Sequence, residues 1–196
     1  MSGSLVVPRI IPAIRRFEEW QELAGWETSP KWVFILGGAV DHVAQATGLL
    51  QKRGWQVFVH IDMVRGCSTD SEGVRFFAEY AGPEGIISTH SMVISHAKKA
   101  GLKTIQRIFL LDSQSVGTGV QQVNSTHPDA VETLPGTLPE VTRRVVRQIS
   151  CPVIAGGLVS TAQEVTRMLA VGVQGVSTSH RGLWELAQTM NAGGAE

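Results

Sequence analysis

The sequence predicts a compact single-domain (β/α)8 barrel spanning residues 1–196, and three observations predict it. Short β-rich runs alternate strictly with longer segments of helical period, eight of each, which implies a parallel sheet and, at that count, closure. Gly54, Gly101 and Gly172 stand just after helical segments and shortly before the next β run, where a left-handed residue ends a helix. The stretch from Cys151 to Ser179 reads strand, Gly-Gly turn, capped helix, strand. Both of its strands end in groups suited to an anion, a pattern at home between the last two loops of such barrels.

In order, the β runs are Arg9 to Ala13, Val33 to Leu36, Val57 to Asp62, Gly85 to Thr89, Thr104 to Leu111, Ala130 to Leu134, Val153 to Ala155 and Gly175 to Thr178. Helices are predicted over Arg16 to Leu23, Asp41 to Lys52, Thr69 to Ala81, Ser91 to Ala100, Gln114 to Val123, Pro139 to Gln148, Ala162 to Val171 and Leu183 to Met190. Apolar residues recur there at helical spacing, as in Val141, Val145, Val146 and Ile149. Thr137 with Glu140, and Thr161 with Glu164, have capping-box spacing. An internal echo supports the count: EGIISTHS, from Glu84, resembles QGVSTSHR, from Gln174, as a half-barrel repeat on the fourth and eighth strands would require.

Composition narrows the class. With 43% apolar and 17% charged residues the chain is globular, and 196 residues sit at the short end of the barrel range. A net charge of zero supplies no global field for nucleic acid, so RNA binding has to rest on a local patch. Cys67 and Cys151 form no C-x-x-C pair, which fits a reducing compartment. The N-terminal apolar run is broken by Pro8 and Pro12 and lacks the features of a signal peptide, and the longest apolar run, Trp32 to Val40, is far too short to span a bilayer. A soluble, cytoplasmic protein is expected.

Sites in such barrels lie at the carboxyl ends of the strands. In VFVHID the period of two puts Phe58, His60 and Asp62 on the inner face and Val57, Val59 and Ile61 against the helices. The sixth run sends Ala130 and Glu132 inward by the same rule. In the fifth run Arg107 and Asp112 have opposite parity: either Arg107 faces the barrel and Asp112 begins the loop, or a bulge re-aims one of them. Buried charges of this kind form a mutual network, a metal site or a ligand site. Gly156 and Gly157 let backbone N–H groups approach an anion, and Ser177, Thr178 and Ser179 add hydroxyls before a helix start. Ordinary turn and cap chemistry explains either corner singly; together, beside His60, Asp62, Arg107 and Glu132, they point to a ligand.

Other features carry less. Arg143, Arg144 and Arg147 cluster on one helix as candidates for RNA phosphates, although a solvated helix face explains the same pattern. The remaining histidines show no metal-ligand spacing, and no metal site is expected.

At this point the motifs VHIDMVRG, GIISTHSMVISHAKKAGLKTIQRIFLLDSQS, HPDAVETLPGTLPEV, CPVIAGGLVST and GVSTSHRGLW resemble the glycerol uptake operon antiterminator family, from roughly Val33 to Trp184. The resemblance implies a cytoplasmic regulator that senses glycerol 3-phosphate, binds leader mRNA and prevents premature termination in glycerol-catabolism genes. It carries over Asp62, Ser88, Thr89, Arg107, Asp112, Ser113, Glu132, Pro135, Gly136, Gly156, Gly157, Ser177, Thr178 and Ser179 as motif residues. Met63 and Cys67 depart from the leucines expected there. No resident cofactor is implied, and a homo-oligomer is compatible with the sequence.

Two other readings stay open. A barrel enzyme (isomerase, epimerase or phosphodiesterase) acting on a small phosphorylated substrate would use Asp62, Glu132 or His60 as acid and base, with Mg²⁺ as a compatible ion. Schiff-base chemistry is disfavoured, since no lysine falls at the carboxyl end of a predicted strand. A metabolite-binding barrel that works through a protein partner is the third reading.

Overall fold

Eight parallel strands close into a barrel: β1 (Ile10–Ile14), β2 (Trp32–Ile35), β3 (Gln56–His60), β4 (Gly85–Ser88), β5 (Lys103–Phe109), β6 (Ala130–Leu134), β7 (Val153–Gly156) and β8 (Gly175–Thr178), each paired with its neighbours in chain order and β8 with β1. The structure, a computed structural model, describes residues 5–23, 26 and 31–192; the ends of the predicted 1–196 domain, with residues 24, 25 and 27–30, lie outside the described residues.

Around the barrel run α1 (Val40–Gln51), α2 (Ser71–Ala81), α3 (Ser91–Lys99), α4 (Ser113–Thr126), α5 (Pro139–Val146), α6 (Ala162–Leu169) and α7 (Arg181–Ala192), one after each of β2 to β8. The connection after β1 is a 3-10 helix, Phe17–Leu23, where an α-helix was expected. At seven residues it is long for a 3-10 run. The Glu19 carboxylate fixes its start by accepting from the N–H groups of Arg15 and Arg16 at 2.7 and 3.0 Å.

Period-two alternation sorts the core into two shells. Ile11, Trp32, Phe34, Phe58, Ile87 and Ile154 fill the barrel, with Trp32 and Phe58 rings 4.5 Å apart. Ile10, Val33, Val57, Val59, Ile86 and Val176 face the helices. Burying each such side chain contributes about 1.5–3 kcal/mol, so reversing the parity of one strand would forfeit several kcal/mol. That is why the alternation read from VFVHID holds as far as His60, where the strand ends.

Local signals behave unevenly. Gly54, Gly101 and Gly172 have φ of 79°, 78° and 100°, as helix-ending glycines should. Thr161 and Glu164 form their capping box, whereas Thr137 and Glu140 do not. Pro139 takes the first helical position of α5 and makes Leu138 the N-cap, one residue too late for Thr137 to serve. The repeat is structural: β4 and β8 begin at Gly85 and Gly175. Ser88 and Thr178 each accept, at 3.0 Å, from the backbone N–H two residues on, that of His90 or His180. A feature with no periodic signature is a two-residue parallel ladder between Gly38–Ala39 and Val64–Arg65, which joins the loops after β2 and β3.

Candidate functional site

Strands β5 and β6 pair in a register that sets Arg107 opposite Glu132, with both side chains inside the barrel. Arg107 Nε donates to Glu132 Oε2 at 2.7 Å. Ser177 Oγ on β8 donates to Glu132 Oε1 at 2.5 Å, and Arg107 Nη1 lies 3.5 Å from His60 Nε2 on β3. Arg107, Glu132 and His60 are only 9%, 1% and 5% exposed, so the charges are tolerable only because they satisfy one another. Gly156 makes this possible. A Cβ there would run into Glu132 Oε1 and Ser177 Oγ, so glycine leaves room for their hydrogen bond.

Burial, with the Arg107 guanidinium as the next cause, pushes the His60 imidazole down to about 4. The ring is therefore neutral at pH 7. Its Nε2 lies between a donor and an acceptor, the Arg107 guanidinium at 3.5 Å and the Asp62 carboxylate at 3.7 Å. The other ring nitrogen, Nδ1, is buried without a hydrogen-bond partner among the described residues.

Over the cluster opens a cavity of about 520 Å³, walled by Arg107, Glu132, Gly157, Ser177, Ser179 and His180. At its edge Gly157 has φ 76° and Leu158 φ 63°; a leucine held left-handed and 78% exposed is a strained, non-core feature. Thr178 also lines the cavity, but its hydroxyl is engaged, donating to Val159 O at 2.8 Å and accepting from His180 N–H. The Ser179 side chain is exposed, and α7 begins two residues later with first-turn N–H groups that have no intrahelical partner.

The structure thus brings Arg107, Glu132, Gly157, Ser177, Thr178 and Ser179 to one cavity, with Gly156 and His60 against its walls. The remaining candidates take other positions. Asp62 lies past the end of β3, in the one-turn helix Ile61–Met63. Its carboxylate accepts from Ser88 Oγ at 2.7 Å, Thr89 N–H at 2.9 Å and Thr89 Oγ1 at 3.0 Å and lies 3.7 Å from His60 Nε2, so it joins the cluster through His60 without lining the cavity itself. Asp112 and Ser113 do not line this cavity; Asp112 shares a separate one with Arg107 and Thr89 on the outer side of β5. Strand β5 ends at Phe109 with Arg107 inward, so Asp112 becomes the N-cap of α4, accepting from Ser115 N–H at 2.7 Å, and Ser113 is the exposed first residue of that helix. The Ser115 N–H bond lowers the Asp112 carboxyl pKa below its ordinary value.

Arg143 reaches Glu140, while Arg144 and Arg147 are exposed. They occupy the later turns of α5, which runs from the carboxyl end of β6 back to the start of β7, so they lie toward the end of the barrel away from the cavity. Sequence reasoning missed Arg15, which lines the cavity from the position just after β1. Its place immediately behind the apolar run IIPAI was the available signal. No lysine lines the cavity, and Lys103 opens β5 at the other end. Among the described residues no group of three or more His, Cys, Asp or Glu is arranged to hold a metal ion, and no helix is long and apolar enough to cross a membrane.

Fold and cavity together define the class: a (β/α)8 barrel with a concave polar site at the carboxyl ends of its strands. Residues 10–184 match the family described as glycerol-3-phosphate responsive antiterminator, and the chain belongs to that family. The crystal structure of the glycerol uptake operon antiterminator regulatory protein from Listeria monocytogenes str. 4b F2365 is similar, at 32% identity and TM-score 0.85 over 92% of this chain and 99% of that one. A glycerol uptake operon antiterminator-related protein from Thermotoga maritima MSB8 is 34% identical with TM-score 0.79, covering 91% of this chain and 98% of that one. The uncharacterized protein YgcP of Escherichia coli (strain K12) is 31% identical over 160 residues, 82% of this chain and 84% of the relative.

Proposed function

We propose that this protein is a glycerol-3-phosphate-responsive transcription antiterminator that binds leader mRNA of glycerol-catabolism genes in the cytoplasm, and that its barrel mouth is a sensor site rather than a catalytic one. The observation that carries the reading is the meeting of the Gly157 corner and the Ser177–His180 corner in one cavity with the Arg107–Glu132 pair. A phosphate dianion sits on the N–H groups of the glycine corner and the start of α7, with the Ser179 hydroxyl and Arg15 beside it. The glycerol hydroxyls reach Glu132 and Arg107. Glycerol alone leaves the phosphate donors unpaired, at a cost of about 1–3 kcal/mol for each one buried, which is the source of discrimination.

The state of the acids and bases supports sensing over turnover. Both Glu132 oxygens are engaged by Arg107 and Ser177, the Asp62 carboxylate accepts three hydrogen bonds, and His60 Nε2 lies between Arg107 and Asp62. An isomerase or epimerase needs one of these groups free to take a proton from substrate.

Regulation requires glycerol 3-phosphate to favour the RNA-binding state; tight binding to both states would shift nothing. Fluorescence anisotropy with leader RNA, with and without saturating glycerol 3-phosphate, tests this. The expected result is at least tenfold tighter RNA binding with the ligand. Equal affinities would remove the switch.

A further inference from the structure

A second cavity, of about 430 Å³, lies beside the first and shares Arg15 and Leu36 with it as a common wall. Its floor is the Gly37-Gly38 corner after β2, which has the same ILGG or IAGG form as the corner at Gly156 and Gly157. Gly37 has φ 110° and a Cβ there would meet Met63 O at 2.7 Å, so the corner closes tightly on the loop after β3. The two-residue ladder then fixes Arg65 beside Ala39. Arg15, Arg16 and Arg65 line this cavity against a single acid, Glu18. Arg16 is paired with Glu19, but among the described residues no ion pair or hydrogen bond engages the guanidinium of Arg15 or Arg65. All three arginines are exposed.

We propose that this second cavity receives a backbone phosphate of the leader RNA, with Arg15, Arg16 and Arg65 as its donors, so that RNA and glycerol 3-phosphate meet across a shared wall. The inference rests on the antiterminator reading and names the RNA surface that reading requires. A neutral chain has to bind RNA through a local patch, and here a concave group of arginines with two unengaged forks stands next to the ligand site. Open, solvated guanidiniums suit a phosphodiester that arrives as part of a large ligand. The arginines of α5 lie toward the other end of the barrel, where a ligand at the mouth has no direct means of reaching them. Coupling runs through Arg15. Its N–H is held by Glu19, which also meets Arg181, the first residue of α7, at 3.5 Å, so the loop that carries Arg15 is tied to the helix that begins at the ligand cradle. Ligand in the first cavity orders the Arg15 side chain, and the RNA phosphate then meets an arginine already in place.

The test is leader-RNA anisotropy, with and without glycerol 3-phosphate, on the wild type, Arg65→Ala, Arg65→Glu, Arg15→Ala and the Arg144→Glu/Arg147→Glu pair, with calorimetry of glycerol 3-phosphate alone in parallel. Arg65→Glu is expected to lose at least tenfold in RNA affinity, and Arg65→Ala to lower the salt slope by about one, while both bind glycerol 3-phosphate normally. Arg15→Ala is expected to reduce the ligand-dependent gain in RNA affinity to within about twofold. Wild-type RNA affinity in Arg65→Glu, with loss in the α5 pair instead, overturns the pocket assignment and leaves the antiterminator reading intact. Two glycerol 3-phosphate molecules per wild-type chain, falling to one in Arg65→Glu, would assign the pocket to a small phosphate ester and also overturn it. A wild type that binds no leader RNA removes the antiterminator reading, and the pocket's RNA role with it.

Discussion

Arg107 and Glu132 stand opposite one another on adjacent strands, joined Nε to Oε2 at 2.7 Å with side chains only 9% and 2% exposed, and the barrel mouth is built outward from that pair. Removing one partner leaves the other charge buried and unpaired. Glu132→Gln is expected to lower stability by about 3–5 kcal/mol in urea denaturation. An Arg107→Met/Glu132→Gln double variant should recover most of that loss while no longer being stabilised by glycerol 3-phosphate. A double variant as unstable as the single one would show that the unpaired charge is not the cause.

Gly156 supports the same cluster by having no side chain. Gly156→Ala forces apart Glu132 and Ser177, with an expected cost of about 1–3 kcal/mol and loss of the ligand-induced rise in melting temperature. Gly117→Ala is the comparison. It lies within α4 with nothing near its added Cβ, and should stabilise by up to about 1 kcal/mol with ligand response retained. Similar behaviour of the two variants would deny Gly156 its role.

His60 makes a component of stability depend on pH. Its folded-state value of about 4 is below the ordinary 6.5, so the unfolded chain takes up this proton first. The contribution is complete above about pH 6.5 and is lost as pH falls from there to about 4, amounting to roughly 3 kcal/mol. Asp70 and Glu164, lowered by the N–H groups of Gly73 and Ser160, lose their own contributions further into the acid range. His60→Gln should flatten the stability profile between pH 6.5 and 4 relative to wild type; parallel profiles would contradict the buried neutral imidazole.

Asp112→Ala separates a cap from a ligand contact. As the N-cap of α4 it should contribute about 1 kcal/mol, and glycerol 3-phosphate should stabilise the variant as much as it does the wild type. Loss of the ligand effect would place Asp112 in the binding site.

The alternation of Val57, Phe58, Val59 and His60 was legible because a strand with helices on one side and the barrel on the other sorts its residues by parity alone. The same rule found Glu132 and, as one of two options, Arg107. Where the chain leaves a strand, parity stops and local bonding decides. Asp62 was expected inward from the strand; it is held past the strand end by Ser88 and Thr89, 3.7 Å from His60, and of the two options for Asp112 the loop start is the one taken, where it caps a helix. Arg65 was not legible, and Arg15 only through its place behind the run IIPAI. Arg15 belongs to the site only because β1 closes the barrel beside β8, and Arg65 reaches its cavity through a ladder too short to show periodicity.

Calorimetric titration of the wild type with glycerol 3-phosphate, inorganic phosphate and glycerol puts the central claim to the most direct test. The account predicts binding of glycerol 3-phosphate at the barrel mouth, competition by inorganic phosphate and no heat from glycerol. Binding of glycerol as tight as that of its phosphate ester, or no binding of either phosphate, would contradict it.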